Sequence, residues 1–206
     1  MIKPLHIALL ATVLIAGPAL AESFDEAVAL YSDKDYKAAF QIAKPLAESG
    51  DIRAMTMLGT LYQNGHGVKK DLKAAVKWLT SAAEQNNAGA QFALAVHYLD
   101  EASGKPNLKE AEKWMERAAD NGSIPAQHNM GLLSAGAGSG EPDWPRAKAW
   151  FQKAADQGFA EAQYNLAVLY AEGRGVDKNP VTAADYFLKA AMQGMADAAL
   201  EYGVMV

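Results

Sequence analysis

Residues 162–194, AQYNLAVLYAEGRGVDKNPVTAADYFLKAAMQG, decide the fold, because their landmarks recur along the chain at intervals of 36 residues. Ala162 has counterparts at Ala54, Ala90, Ala126 and Ala198, and Tyr186 at Trp78, Trp114 and Trp150. The pair Ala190-Ala191 repeats as Ala82-Ala83, Ala118-Ala119 and Ala154-Ala155, and Gly194 as Gly50, Asn86, Gly122 and Gly158. A period of this length marks a solenoid of stacked helical hairpins, each too small to bury its own apolar face.

Within a unit the spacing predicts helix A, a loop, helix B and a tight turn. Helix A of the second unit is expected near residues 89–100, with Ala90, Gln91, Leu94, Ala95 and Tyr98 on one side of the wheel. Small residues at Ala90 and its counterparts, and at Gly59, Ala95, Gly131 and Ala167, allow close approach of neighbouring helices. Helix B opens at Asp71, Asn107, Asp143 and Asn179, four side chains able to cap a first turn. Pro180 follows at the first helical position, where a missing N–H costs nothing. The apolar stripe then runs Ala75, Trp78, Leu79, Ala82, with the aromatic as the expected main contributor to the core. The glycines and Asn86 at the turns tolerate the left-handed backbone that ends a helix.

The unit A-x-A-Q-x-x-L-G/A-x-x-Y, G-x-G-V, D/N-x-x-x-A-x-x-W-x-x-x-A-A-x-x-G resembles the Sel-one-like repeat, a relative of the tetratricopeptide repeat. The resemblance covers residues 51–206. It implies an all-α, right-handed α-solenoid with the A helices lining the concave surface, and a role as a scaffold or adaptor for other proteins.

The expected organisation is a signal peptide at 1–21, a tetratricopeptide-like capping pair at 22–50, and repeats at 51–86, 87–122, 123–158 and 159–194. A half repeat follows at 195–206. The leader reading rests on Lys3, the uncharged run Leu5–Ala16 and the small-x-small site Ala19-Leu20-Ala21. The run is shorter than the roughly 20 residues that span a bilayer, so no membrane insertion is expected after cleavage. With no Cys in the chain, neither a lipid anchor nor a disulfide framework can form. A periplasmic protein is the expectation, with secretion beyond the cell as the alternative. Pro45, inside the second helix of the capping pair, should kink it or leave one backbone carbonyl unpaired.

Two units depart from the pattern. Asp100–Pro106 replaces the glycine loop in the second, and Ser134 with Gly136–Gly140 alters the third, whose connection is expected to be the most mobile. Residues 195–206 read as an A helix without a B helix, with an exposed apolar tail of Tyr202, Val204, Met205 and Val206 that serves as a lid or a homodimer contact.

The chemistry is sparse. No mature Ser carries Lys three positions on, no Lys-Thr-Gly occurs, and the carboxylates are scattered along polar faces. His66, His97 and His128 lie on different units without metal-ligand spacing. His97, aligned with Leu61, Leu133 and Leu169, is expected at the edge of the core with a local hydrogen bond. The Gly65-His66-Gly67 and Gly173-Arg174-Gly175 loops lack phosphate-loop context and are expected to supply positive φ. The net charge of −5, with no basic cluster, argues against nucleic acid as the main ligand. No catalytic residue, metal or cofactor is expected.

The remaining signal is a row on the A helices, opposite the buried stripe. It comprises Phe92 and Val96; His128, Asn129 and Leu132; Tyr164, Asn165 and Val168, with Thr56, Met57 and Thr60 in the first unit. Aromatic and apolar side chains interleaved with amides suit an extended peptide or a helix of another protein. A tighter superhelix would instead bury the row against the next A helix. The functional expectation is a non-catalytic periplasmic adaptor. An envelope hydrolase or cell-wall binder, and a structural subunit of an envelope machine, are the alternatives.

Overall fold

The computed structural model describes residues 23–100, 106–137 and 141–205. The expected leader, most of the second unit's connection, Gly138–Gly140 of the third and Val206 lie outside the described residues. The rest is helical: α1 (Phe24–Ser32), α2 (Tyr36–Glu48), α3 (Ile52–Asn64), α4 (Leu72–Ala83), α5 (Ala88–Leu99) and α6 (Leu108–Asp120) come first. There follow α7 (Ile124–Leu132) with a π-helical turn at Leu133–Ala137, α8 (Trp144–Asp156), α9 (Ala160–Glu172), α10 (Pro180–Met192) and α11 (Ala196–Met205). Each helix packs on its neighbours in sequence, so the described residues form a solenoid of hairpins α1/α2 to α9/α10, with α11 as a further A helix.

Local chemistry sets the boundaries. Asp71, Asn107, Asp143 and Asn179 accept hydrogen bonds from the backbone N–H groups of Ala74, Glu110, Arg146 and Thr182 at 3.0, 3.3, 3.0 and 3.1 Å. Their own N–H groups bond back to the A helix, at the carbonyls of Tyr62, Tyr98, Ser134 and Tyr170. The loop is thus pinned by backbone, and Ser134 keeps that bond where the other units have Tyr. Turns between units close with positive φ at Gly50, Asn86, Gly122, Gly158 and Gly194. α2 continues through Pro45 as one helix to Glu48, so the expected kink does not divide it.

Two hairpins show close packing between their own helices. A Cβ added to Gly59 would stand 2.6 Å from Leu79, and one on Gly131 2.4 Å from Phe151. The A helix is therefore notched to receive the large side chain of its B helix. Leu79 and Phe151, with Met115 and Phe187, are the buried centres of α4, α8, α6 and α10. The aromatic one position earlier sits at the seam between units. Trp114 and Trp150 are 6% and 7% exposed and share one cluster, while Trp78 and Tyr186 are only half-buried. Cations from the same helix cover their outer faces, Arg117 at 4.8 Å from the Trp114 ring and Lys153 at 3.9 Å from Trp150. The centre of the core is thus the residue after the aromatic, a shift from the sequence expectation.

One further expectation is corrected. Tyr202 and Met205 pack against the cluster of Ala183, Phe187 and Ala198, so they are not an exposed tail; Val204 is exposed. His97 is buried at the core edge, but its Nδ1 has no hydrogen bond among the described residues.

Candidate functional site

The A helices α3, α5, α7, α9 and α11 carry the candidate row, each supplying the same wheel positions. Phe92, His128, Asn129, Leu132, Tyr164, Asn165 and Val168 are all half-buried, and Val96 is 39% exposed. The inner edge of the row packs into the seams. Phe92 lies against the cluster of the central units, Leu132 against that around Phe151, and Tyr164 and Val168 against that around Phe187.

One hydrogen bond runs across the row between adjacent A helices: the Asn165 amide nitrogen donates to Nε2 of His128 at 3.0 Å. The imidazole is boxed by Phe159 and Phe151, at 5.2 and 5.8 Å between ring centres. Burial holds its pKa below the ordinary value, with Glu161 pulling weakly the other way. Tyr164 packs edge-on to Phe187 at 5.4 Å. Its hydroxyl pKa is raised by burial first, then by Glu201 and Asp197. The C-terminal end of the row therefore carries an acidic rim.

At the N-terminal end the row deepens into a cleft of about 270 Å³, lined by Phe24, Tyr31, Arg53, Thr56, Met57 and Thr60. Arg53 lies over the Phe24 ring at 4.6 Å and pairs with Asp25 at 3.8 Å. The last three lining residues are the first unit's copies of the row. Phe24 and Tyr31 had no 36-residue signature as site residues, because the capping pair breaks the period, and Arg53 aligns with Gly89, Pro125, Glu161 and Asp197, which share no residue type.

The glycine loops prove structural. Gly67 and Gly175 have φ of 68°, and a Cβ on either would strike backbone, Tyr36 O at 2.3 Å and Trp144 C at 2.6 Å. Among the described residues no group of three or more His, Asp or Glu gathers as a metal set, and no helix is long and apolar enough to cross a membrane.

A polar feature beneath the row was not foreseen. Gln91, Gln127 and Gln163 are buried, and each side-chain amide donates to the carbonyl of Ala83, Ala119 or Ala155 at the end of the preceding B helix. Each Oε1 then accepts from Asn121, Gln157 or Gln193 at 2.8–2.9 Å. The buried amides thus tie consecutive turns together, meeting the requirement that a buried polar group find partners. In the first unit Met55 holds the position, and Gln85 reaches its sulfur at 3.9 Å.

The comparisons with known proteins agree with this architecture. No curated protein matches the chain. Among solved structures, a Sel1 repeat protein from Oxalobacter formigenes is 32% identical with a TM-score of 0.79, over 83% of this chain and 49% of that one. A protective antigen of uropathogenic Escherichia coli is 26% identical, TM-score 0.77, over 88% and 40%. An immunity protein of Pseudomonas aeruginosa is 26% identical, TM-score 0.54, over 84% and 67%. The chain thus spans about half or less of the first two. The Sel1 repeat pattern matches it four times in succession, at residues 52–87, 88–123, 124–159 and 160–195, and the chain belongs to the Sel1-repeat family.

Proposed function

We propose that the chain is a non-catalytic adaptor that grips a segment of another protein along its concave row and works in the periplasm after loss of its leader. Sel1-repeat proteins generally serve as protein-interaction scaffolds. The observation that carries the reading is the continuity of the row with the cleft at Thr56, Met57 and Thr60. A bound segment would lay apolar side chains on Phe92, Val96, Leu132 and Val168, with Asn129 and Asn165 beside its backbone. The recess at Phe24 and Tyr31 accepts one larger side chain.

The test is capture of a partner by the chain carrying Val96→Asp with Asn129→Ala. Val96 is exposed, so the melting temperature is expected to stay within about 2 °C of the parent. Recovery of the partner should fall to background. Full recovery by the folded variant contradicts the assignment.

A further inference from the structure

Position 53 of the first A helix, with its counterparts 36 residues on, carries charge along the border of the concave row. Arg53 lines the cleft together with Thr56, Met57 and Thr60, so this wheel position flanks the row. Along the solenoid it reads Arg53, Gly89, Pro125, Glu161 and Asp197. Neither α5 nor α7 carries a Lys, Arg, Asp or Glu, so the middle of the row is bare of formal charge. After burial, Glu201 and Asp197 are the groups that act on the Tyr164 hydroxyl, and Glu161 acts on His128. All three carboxylates therefore stand near row side chains, at one end of it.

The two ends differ in how their charge is balanced. Arg53 has Asp25 at 3.8 Å and Asp51 at 3.6 Å, so the cleft end carries no surplus cation. Glu161, Asp197 and Glu201 are exposed, and none is in an ion pair among the described residues. Helix dipoles account for part of this, because Glu161 and Asp197 sit in first turns, where a carboxylate is favoured. Glu201 lies in the middle of α11, beyond the reach of that effect. A negative field with no resident cation thus covers one end of the row and fades towards the uncharged centre.

We propose that the concave row takes an extended, basic-ended segment of another protein, in one orientation. Its Lys or Arg lies over α9 and α11, its uncharged middle over α5 and α7, and a bulky uncharged side chain in the cleft at Phe24. The inference rests on the concave row being the binding face, and adds to it the chemistry and direction of the occupant. Packed helices stand about 8–10 Å apart and extended backbone advances about 3.3 Å per residue, so the crossing from α3 to α11 takes about 10–12 residues. A carboxylate over α9 and α11 would face three like charges, which rejects acidic segments and the reversed orientation.

The test is selection of displayed random 12-residue peptides on the whole chain, keeping those whose binding is lost with Val96→Asp. These peptides are expected to gather Lys or Arg at one end. Synthesised and labelled, they should bind at least about tenfold more weakly to the triple variant Glu161→Gln, Asp197→Asn, Glu201→Gln, and more weakly as salt rises. The same charge change placed on B helices, Glu48→Gln, Glu84→Gln, Asp120→Asn, should leave affinity unchanged. All six carboxylates are exposed, and the melts of both triples check that they fold. Row-dependent peptides without basic residues, or equal losses in the two triples, overturn the charge assignment and leave the concave row standing. No row-dependent peptide at all overturns both. A dimer that Val96→Asp dissolves gives the row to a second copy and likewise overturns the proposal.

Discussion

Gln127 bridges two turns, bonding the Ala119 carbonyl at 3.1 Å and receiving Gln157 at 2.8 Å. Gln127→Ala strands both partners, and the cost of an unsatisfied buried polar group is about 1–3 kcal/mol each way. Urea denaturation should show a loss in that range. Gln127→Met should cost less, because Met55 already fills the equivalent place beside Gln85; equal losses for the two would contradict the bridge. His97 and His128 make a second case. Burial is the first cause of the lowered pKa of both. The neutral ring is therefore favoured in the folded chain, and that stability is present above the free imidazole pKa of about 6.5. It is lost as pH falls through the lower folded-state values, because the unfolded chain takes up the protons first. Melting temperature should drop between pH 7.5 and pH 5, and the drop should shrink in the double variant His97→Leu, His128→Gln. An undiminished drop contradicts the assignment. His97 was legible as a core position from its alignment with leucines, but its unbonded Nδ1 was not. The amide ladder was missed for a similar reason: Gln91 and Asn121 are 30 residues apart, and only their shared period hinted at a partnership.

At the scale of the element, a helix start is a local event, and this made it readable. The cap, the bonded N–H and the first turn lie within three residues, so Asp143 and Asn179 announce α8 and α10 without tertiary information. Asp143→Ala should cost about 1 kcal/mol, measurable as a shift in the urea midpoint. Packing inside the hairpin was half readable. Small residues at Gly59 and Gly131 signalled close approach, but the choice of Leu79 and Phe151 over Trp78 and Trp150 as their partners depends on a rotation of about one position. Trp114→Ala should still cost about 3–5 kcal/mol, since the ring is nearly buried at a seam. Gly131→Ala should also destabilise, by about 1–3 kcal/mol, because the Phe151 ring must move to admit a methyl group. A neutral Gly131→Ala would show that α7 and α8 do not meet so closely.

For the whole molecule, the 36-residue period establishes which helices are neighbours, and hence the solenoid. Curvature is different, because it accumulates from small rotations between units that no single repeat encodes. The row on the A helices has its inner edge in the seams and Val96 facing out. The cleft at Phe24 and Tyr31 lies where the period breaks, beyond the reach of repeat logic. The central claim is that the concave face carries the partner. Its most direct test is site-specific photocrosslinking, with the reactive side chain placed at Val96 or Thr60 on the row and at Lys109 or Lys148 on the B helices. The account predicts one protein crosslinked from the two row positions and none from the B-helix positions; crosslinks from the B helices alone, or equally from all four sites, would contradict it.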